Sequence, residues 1–357
     1  MRNEKGFSIV EMMITMLIFL IVIGSVYGLL QVGFVDRNRA SRHANILKNA
    51  RVALHLIGRD ALNAGLSYNA IGAVVPDDLI QNRLGLPPDG DNNRDFLTAI
   101  IAGNNINPNS LNPNPSARTD IISFAYRDMA FNNGNPISLV DAVAGTIPTD
   151  VALITNPGGA NNANVFDLYL VESDSSQVAV VATNVLSSLN RIVAAPGDPL
   201  GINQPLNGSG INGSLLRKCN PPLIVSDCTT YAPASAKRFF WVFYRVRPDG
   251  TLVRVSLGNN TGAAASQQIQ EMPIAYNVED FQVQYLLANG RVSDDPIAGP
   301  DGIRGNADDN PLAMNDVRQI NVTIRVQSPE IDEQTRQPMR ITLTASFSTR
   351  NVLYDAG

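Results

Sequence analysis

The sequence predicts an α+β fold, a long N-terminal α-helix packed on a mainly antiparallel β-sheet head with long loops, and three patterns predict it. The stretch from Phe7 to Val35 carries one formal charge, Glu11. Beyond it Ala40, Ala44, Leu47, Ala50, Leu54, Ile57, Ala61 and Ala64 recur at steps of three and four, which puts them on one helical stripe. Near the C-terminus, apolar residues alternate with polar ones, the period of a strand with one buried face.

The first element is the most constrained. Its 29 residues from Phe7 to Val35 exceed the roughly 20 that a helix needs to cross a hydrocarbon core. Apolar on every face, it does not suit the core of a soluble domain. No proline lies between Phe7 and Tyr68, so one helix is expected from about Phe7 to about Leu66, roughly 90 Å long at 1.5 Å per residue. Gly24, Gly28 and Gly33 interrupt it, each at up to about 1 kcal/mol against alanine. Close helix packing in a membrane and a softened segment able to bend both account for them.

Arg2, Glu4, Lys5 and Gly6 precede the apolar run, and no small-x-small site follows it. An ordinary secretory signal is cut after its apolar region and lost, whereas a cut after Gly6 keeps the helix. Glu11 places a carboxylate in what should be lipid, where it costs a few kcal/mol or more and marks a functional position.

KGFSIVE, with Gly6, Phe7 and Glu11 followed by unbroken apolar sequence, resembles the class III leader of type IV pilins and type II secretion pseudopilins. The resemblance implies that a prepilin peptidase cuts after Gly6 and methylates the new N-terminus, Phe7. It also implies that Glu11 pairs with the amino group of a neighbouring subunit. A buried carboxylate needs a partner, and one supplied in trans couples burial to assembly. Orientation follows from the resemblance and not from charge, because Arg37, Arg39 and Arg42 flank the far side while Arg2 and Lys5 flank the near one. The expected organisation is a leader at 1–6, a membrane or filament-core half-helix at 7–35, an amphipathic half-helix at 36–68 and a periplasmic or extracellular β-rich head at 69–357.

Composition limits the function. The chain has 357 residues and a net charge of −5, without the basic field of a nucleic-acid binder, so no nucleic-acid partner is expected. Cys219 and Cys228 are its two cysteines. In an exported head so close a pair reads as a disulfide worth roughly 2–3 kcal/mol. No enzyme is expected: His43 and His55 lie twelve residues apart on the predicted helix with no carboxylate cluster beside them, and zinc-protease, nucleophile-elbow and P-loop patterns are missing.

After the helix, residues 70–115 turn loop-rich, with repeated Asn-Pro. FNNGNP, NPGGANNAN and APGDPLGINQPLNGSGING read as further surface loops, where partner contacts tend to sit. Between them Thr119–Tyr126 and Val165–Glu172 read as strands. RFFWVFYRVRPDGTLVRVSL reads as a hairpin turning at Pro248-Asp249-Gly250, with Phe239, Phe240, Trp241, Phe243 and Tyr244 as sheet core. Phe281 to Leu287, Ile320 to Val326 and Ile341 to Phe347 alternate cleanly. NVEDFQVQYLL, an acidic Gly-rich loop, VRQINVTIRVQS and a final strand ending STRNV resemble the C-terminal half of PilW-type minor pilins. Residues 70 to 235 match no pattern of that kind.

The acidic loop SDDPIAGPDGIRGNADDN offers Asp294, Asp295, Asp301, Asn306, Asp308, Asp309 and Asn310, the hard oxygens that Ca²⁺ prefers, although the spacing is not that of an EF-hand. A solvated acidic turn is the other reading. DGDNNRD offers Asp89, Asp91, Asn93 and Asp95, but Arg94 stands where an EF-hand needs glycine. No cofactor is required, and Ca²⁺ is the candidate ion. The expected function is a minor pilin subunit that helps initiate or cap a type IV pilus. Its expected partners are the prepilin peptidase, other minor pilins, the major pilin and the inner-membrane assembly platform. It is expected as a single-pass inner-membrane protein with a periplasmic head, then as part of the surface filament. A type II secretion pseudopilin and a pilus-associated adhesin or DNA-uptake subunit are the alternatives.

Overall fold

The computed structural model describes residues 8–90, 92–144, 151–172, 177–204, 235–306, 308–332 and 335–352. A 55-residue helix, α1 (Ile9–Asn63), leads the chain. There follow β1 (Ala73–Val75), α2 (Leu79–Leu84), β2 (Asp95–Leu97), β3 (Ile100–Pro108), β4 (Arg118–Arg127), β5 (Ile137–Ala144), β6 (Val151–Thr155), β7 (Leu168–Glu172), β8 (Gln177–Val181), β9 (Asn184–Leu186) and β10 (Arg191–Ala194). The last strands are β11 (Ser235–Val246), β12 (Leu252–Leu257), β13 (Ile269–Ala275), β14 (Val278–Leu287), β15 (Val292–Ser293), β16 (Val317–Ile331) and β17 (Pro338–Ser348). A long N-terminal helix followed by a mostly antiparallel multi-strand head is the α+β architecture that the sequence predicts.

The chain divides into two compact units, Met1–Lys48 with Gln327–Ile341, and Asn49–Val326 with Thr342–Gly357. In the first, the apolar part of α1 is exposed along its whole length, the state of a helix made for a non-aqueous environment. Farther along α1, Arg39 Nε lies 2.7 Å from Asp332 Oδ2, and Arg42 Nη2 lies 2.5 Å from Glu330 Oε2. Asp332 also accepts the backbone N–H of Thr335 at 3.0 Å, so one buried carboxylate holds both its own turn and the helix arginine.

In the second unit β11 is the hub. Its first residues pair with β5 and β7, and its second half pairs with β4 and β12. Thirteen strands are thereby joined, in the order β2-β1-β8-β7-β11-β5-β6-β10-β9, with β3, β4, β12 and β13 branching from the far end of β11. A second sheet runs β15-β14-β16-β17. The described pairings are antiparallel except β1 with β8, which is parallel. β11 contributes to the core from both faces: Phe239 and the successive residues Trp241, Val242, Phe243 and Tyr244 are buried, whereas Phe240, also read as core, is only partly buried, and Trp241 Nε1 donates to Ser123 Oγ at 2.9 Å. The β11–β12 turn falls at the expected residues, with Gly250 at φ 78° and its N–H donating to Arg247 O.

Two expectations shift. The strand read from Val165 begins at Leu168, because Phe166 adopts φ 70° and breaks the extended run. The stretch 70–115 is loop-rich but also holds β1, β2 and the nine-residue β3, whose terminal Asn-Pro lies at the end of the strand, where proline is tolerated.

Within this unit the last turns of α1 cover the sheet through Ala50, Ala53, Leu54, Ile57 and Ala61, all buried. Ala40 and Ala44, read as part of the same stripe, are exposed. The helix stops at Gly65, whose φ of 81° is left-handed and whose added Cβ would lie 2.7 Å from Asn351 O. Both the turn and the close approach require glycine.

Candidate functional site

Glu11 sits in the first turn of α1, where a carboxylate complements the unpaired N–H groups of a helix start. Its Oε2 accepts the Ser8 N–H at 3.4 Å, a long contact, and its side chain is exposed. Thr15 Oγ1 donates to Glu11 O at 2.9 Å, which satisfies a polar group inside an apolar run. From Ser8 to Val35 the helix surface is mostly aliphatic or aromatic, with exposed Ile9, Met12, Phe19, Leu20 and Phe34, and its uncharged polar residues include Ser25, whose Oγ donates to Ile21 O at 2.8 Å, and Gln31. Such a surface can bury itself in lipid or against other helices of its kind. Gly24, Gly28 and Gly33 have nothing within 4 Å of an added Cβ, which leaves them free to meet a neighbouring helix. Gly6 and Phe7, the expected processing residues, lie outside the described residues, as do Cys219 and Cys228.

The acidic residues of 294–309 are spread among several partners. Asp295 Oδ2 pairs with Arg304 Nε at 3.1 Å, and its Oδ1 accepts the Ile297 N–H. Asp301 accepts the Ile303 N–H at 2.8 Å and the Asn306 side-chain amide at 2.8 Å. Asn306 Oδ1 accepts the Asp308 N–H, and Asp294 Oδ1 accepts from Gln284. Asp309 Oδ2 accepts the Gly305 N–H at 2.8 Å while its Oδ1 is buried with no hydrogen-bond partner. Most of these are side chains closing their own turns.

The two acidic stretches, read separately in the sequence, meet in the fold. Gly305, at φ 89°, lies so close to Pro88 that an added Cβ would be 2.8 Å from its carbonyl oxygen. Asp89, Asp95, Gln81, Arg304 and Asp309 line one cavity of about 60 Å³. Among the described residues, Asp77, Asp78 and Asp89 bring a carboxylate oxygen each within 4.8 Å of one another. Burial, then a hydrogen bond and charge from Asp89, push the Asp95 carboxyl up to about 8. Burial also pushes the Asp120 carboxyl up to about 7, against the lowering effect of the Asn105 and Val283 N–H groups that it accepts.

Both groups bind a proton more tightly folded than unfolded. Between the ordinary carboxylate range and these raised values the folded chain holds more protons, so stability falls as pH rises through that window. With a chelator present, the melting temperature is expected to drop between pH 5 and pH 8. Thermal melts across that range check it, and a rise would contradict it.

The sequence reading passed over Asp60. It falls on the apolar stripe between Ile57 and Ala64 and is fully buried. Arg254 Nε and Tyr244 Oη each lie 2.6 Å from its Oδ2, and Tyr126 Oη donates to its Oδ1 at 3.0 Å. This is a structural ion pair that fixes the end of α1 to β4, β11 and β12. An acid on an apolar stripe was the available signal. His43 and His55 are exposed on α1.

Residues 1–27 match the family described as the prokaryotic N-terminal methylation motif. No curated protein and no solved structure matches the chain. The motif, with the apolar helix that follows it, marks a prepilin-type leader and supports a type IV pilin- or pseudopilin-like subunit, a structural class rather than an enzymatic one. Such a leader implies processing by a peptidase and association with pilus machinery, and it fits membrane anchoring with the head beyond the membrane.

Proposed function

We propose that this chain is a minor pilin that helps initiate or cap assembly of a type IV pilus. The observation that carries the reading is the first part of α1: a methylation-motif leader running into a helix that is exposed and apolar on every face, with Glu11 as its acidic residue. The peptidase exposes the Phe7 amine, and the apolar helix moves sideways out of the bilayer into the filament bundle. Glu11 of one subunit then neutralises the amine of its neighbour. Other minor pilins, the major pilin and the inner-membrane platform are its partners, and the filament at the cell surface is its destination.

The strands β14, β16 and β17 support the minor-pilin reading through their likeness to the C-terminal half of PilW-type subunits. A secretion pseudopilin would share the leader and the helix, so the two differ in what fails when the chain is missing. Deletion is expected to abolish surface pili and twitching while exported enzymes still reach the medium. Normal piliation with a loss of secreted enzyme would contradict the proposal and favour the pseudopilin. Normal piliation with normal secretion would contradict both.

A further inference from the structure

We infer that the tip of the β16–β17 hairpin is a foot that rests on the phospholipid surface around α1 and fixes the direction in which that helix tilts. The chain to Lys48 and residues 327–341 form one compact unit, so the tip has a defined place beside the helix. Glu330 and the Ile331 carbonyl meet Arg42, and Asp332 meets Arg39. Two residues along a strand cover about 6.6 Å and three along a helix about 4.5 Å. The end of β16 therefore runs antiparallel to α1 and carries its turn toward the apolar end of the helix. Val35, four residues before Arg39 and so on the same face, is partly buried, whereas the described residues from Ser8 to Phe34 are exposed.

The occupant follows from α1 itself, and the inference rests on the anchoring of that helix in a membrane. The 29 residues from Phe7 to Val35 make about 43 Å of helix, against a hydrocarbon core of about 30 Å. Tilt takes up the excess, and side chains at the interface rather than length decide its direction. Arg39 and Arg42 stand about 6 and 10 Å beyond Val35 along the helix, and the headgroup layer is about 5–7 Å deep, so a lean toward β16 lowers the tip into that layer. Ile331, 62 % exposed, brings an aliphatic side chain. Arg336 is exposed, at φ 54°, with its N–H donating to Asp332 O, and a guanidinium grips phosphate through two parallel hydrogen bonds. The Asp332 carboxylate is 5 % exposed and committed to Arg39 and Thr335. Of the other described acids at this level, Glu330 is paired with Arg42 and Asp36 is followed by the exposed Arg37.

The test uses the full chain in vesicles of phosphatidylcholine and phosphatidylglycerol, with or without bromine on the acyl chains. Trp241, the single tryptophan, is fully buried and supplies a background that lipid does not quench. In Ile331→Trp the emission added over the wild type is expected to fall roughly twofold or more on brominated lipid, and adding Arg336→Glu is expected to restore most of it. Gln337→Trp, at another exposed position, takes over as reporter should Ile331→Trp melt below the wild type. Flotation of the vesicles on a density gradient reads anchoring separately. A chain that does not float overturns the anchoring of α1, whereas a chain that floats with its reporter unquenched overturns the foot alone. Quenching that Arg336→Glu leaves unchanged overturns the part given to the arginine. Emission that follows the ratio of protein to lipid instead of bromine overturns the lipid as occupant and assigns the tip to a contact between copies.

Discussion

Replacing Glu11 with alanine is expected to leave the chain processed and membrane-inserted, yet at least tenfold depleted from sheared filaments. Glu11 is exposed in the first turn of α1, and its side chain accepts the Ser8 N–H at a long 3.4 Å. Moving that surface into a packed bundle of apolar helices strips water from the carboxylate, which costs a few kcal/mol unless an opposite charge meets it. With alanine the neighbour's amine is left buried alone, and each 1.4 kcal/mol of that penalty is about a factor of ten in incorporation. Glu11→Gln keeps the volume but not the charge and is expected to fail like alanine. Immunoblots of membrane and sheared fractions measure both. Wild-type incorporation of Glu11→Ala would contradict the pairing.

The largest expected effect on stability belongs to Asp60. Removing its carboxylate in Asp60→Ala leaves Arg254, 14 % exposed, as a mostly buried charge, and Tyr244 and Tyr126 lose their acceptor. Breaking a buried pair from one side costs about 3–5 kcal/mol. At 2–4 °C per kcal/mol for a domain of this class, the melting temperature falls by about 10 °C. The double replacement Asp60→Leu with Arg254→Met, which buries no charge, is expected to melt above either single variant. Calorimetry or circular dichroism measures this. A fall of under about 2 °C in Asp60→Ala would show that the pair does not hold α1 to the sheet.

The contrast between these two acids shows what the sequence makes legible. Glu11 stands out because nothing around it is charged, and local pattern is enough to read it. Asp60 depends on partners 66, 184 and 194 residues away, which no local pattern records. The same division runs through the fold. The alternation in β14 and β16 and the turn at Gly250 are local signals, and the strands lie where those signals place them. β1, β2 and β9, of three residues each, are too short to show a period, and the parallel pairing of β1 with β8 is a long-range event. The acidic stretches near Asp89 and Asp309 read as two unrelated turns because only the fold brings Gly305 against Pro88.

The account rests on a free amine at Phe7, and intact mass spectrometry of the membrane-extracted protein tests that directly. The predicted result is the mass of residues 7–357 plus one methyl group, with an N-terminal peptide beginning at methylated Phe7. A chain that still begins at Met1, or one that begins beyond Val35, would contradict it, because Glu11 would then have no neighbouring amine to neutralise or would itself be gone.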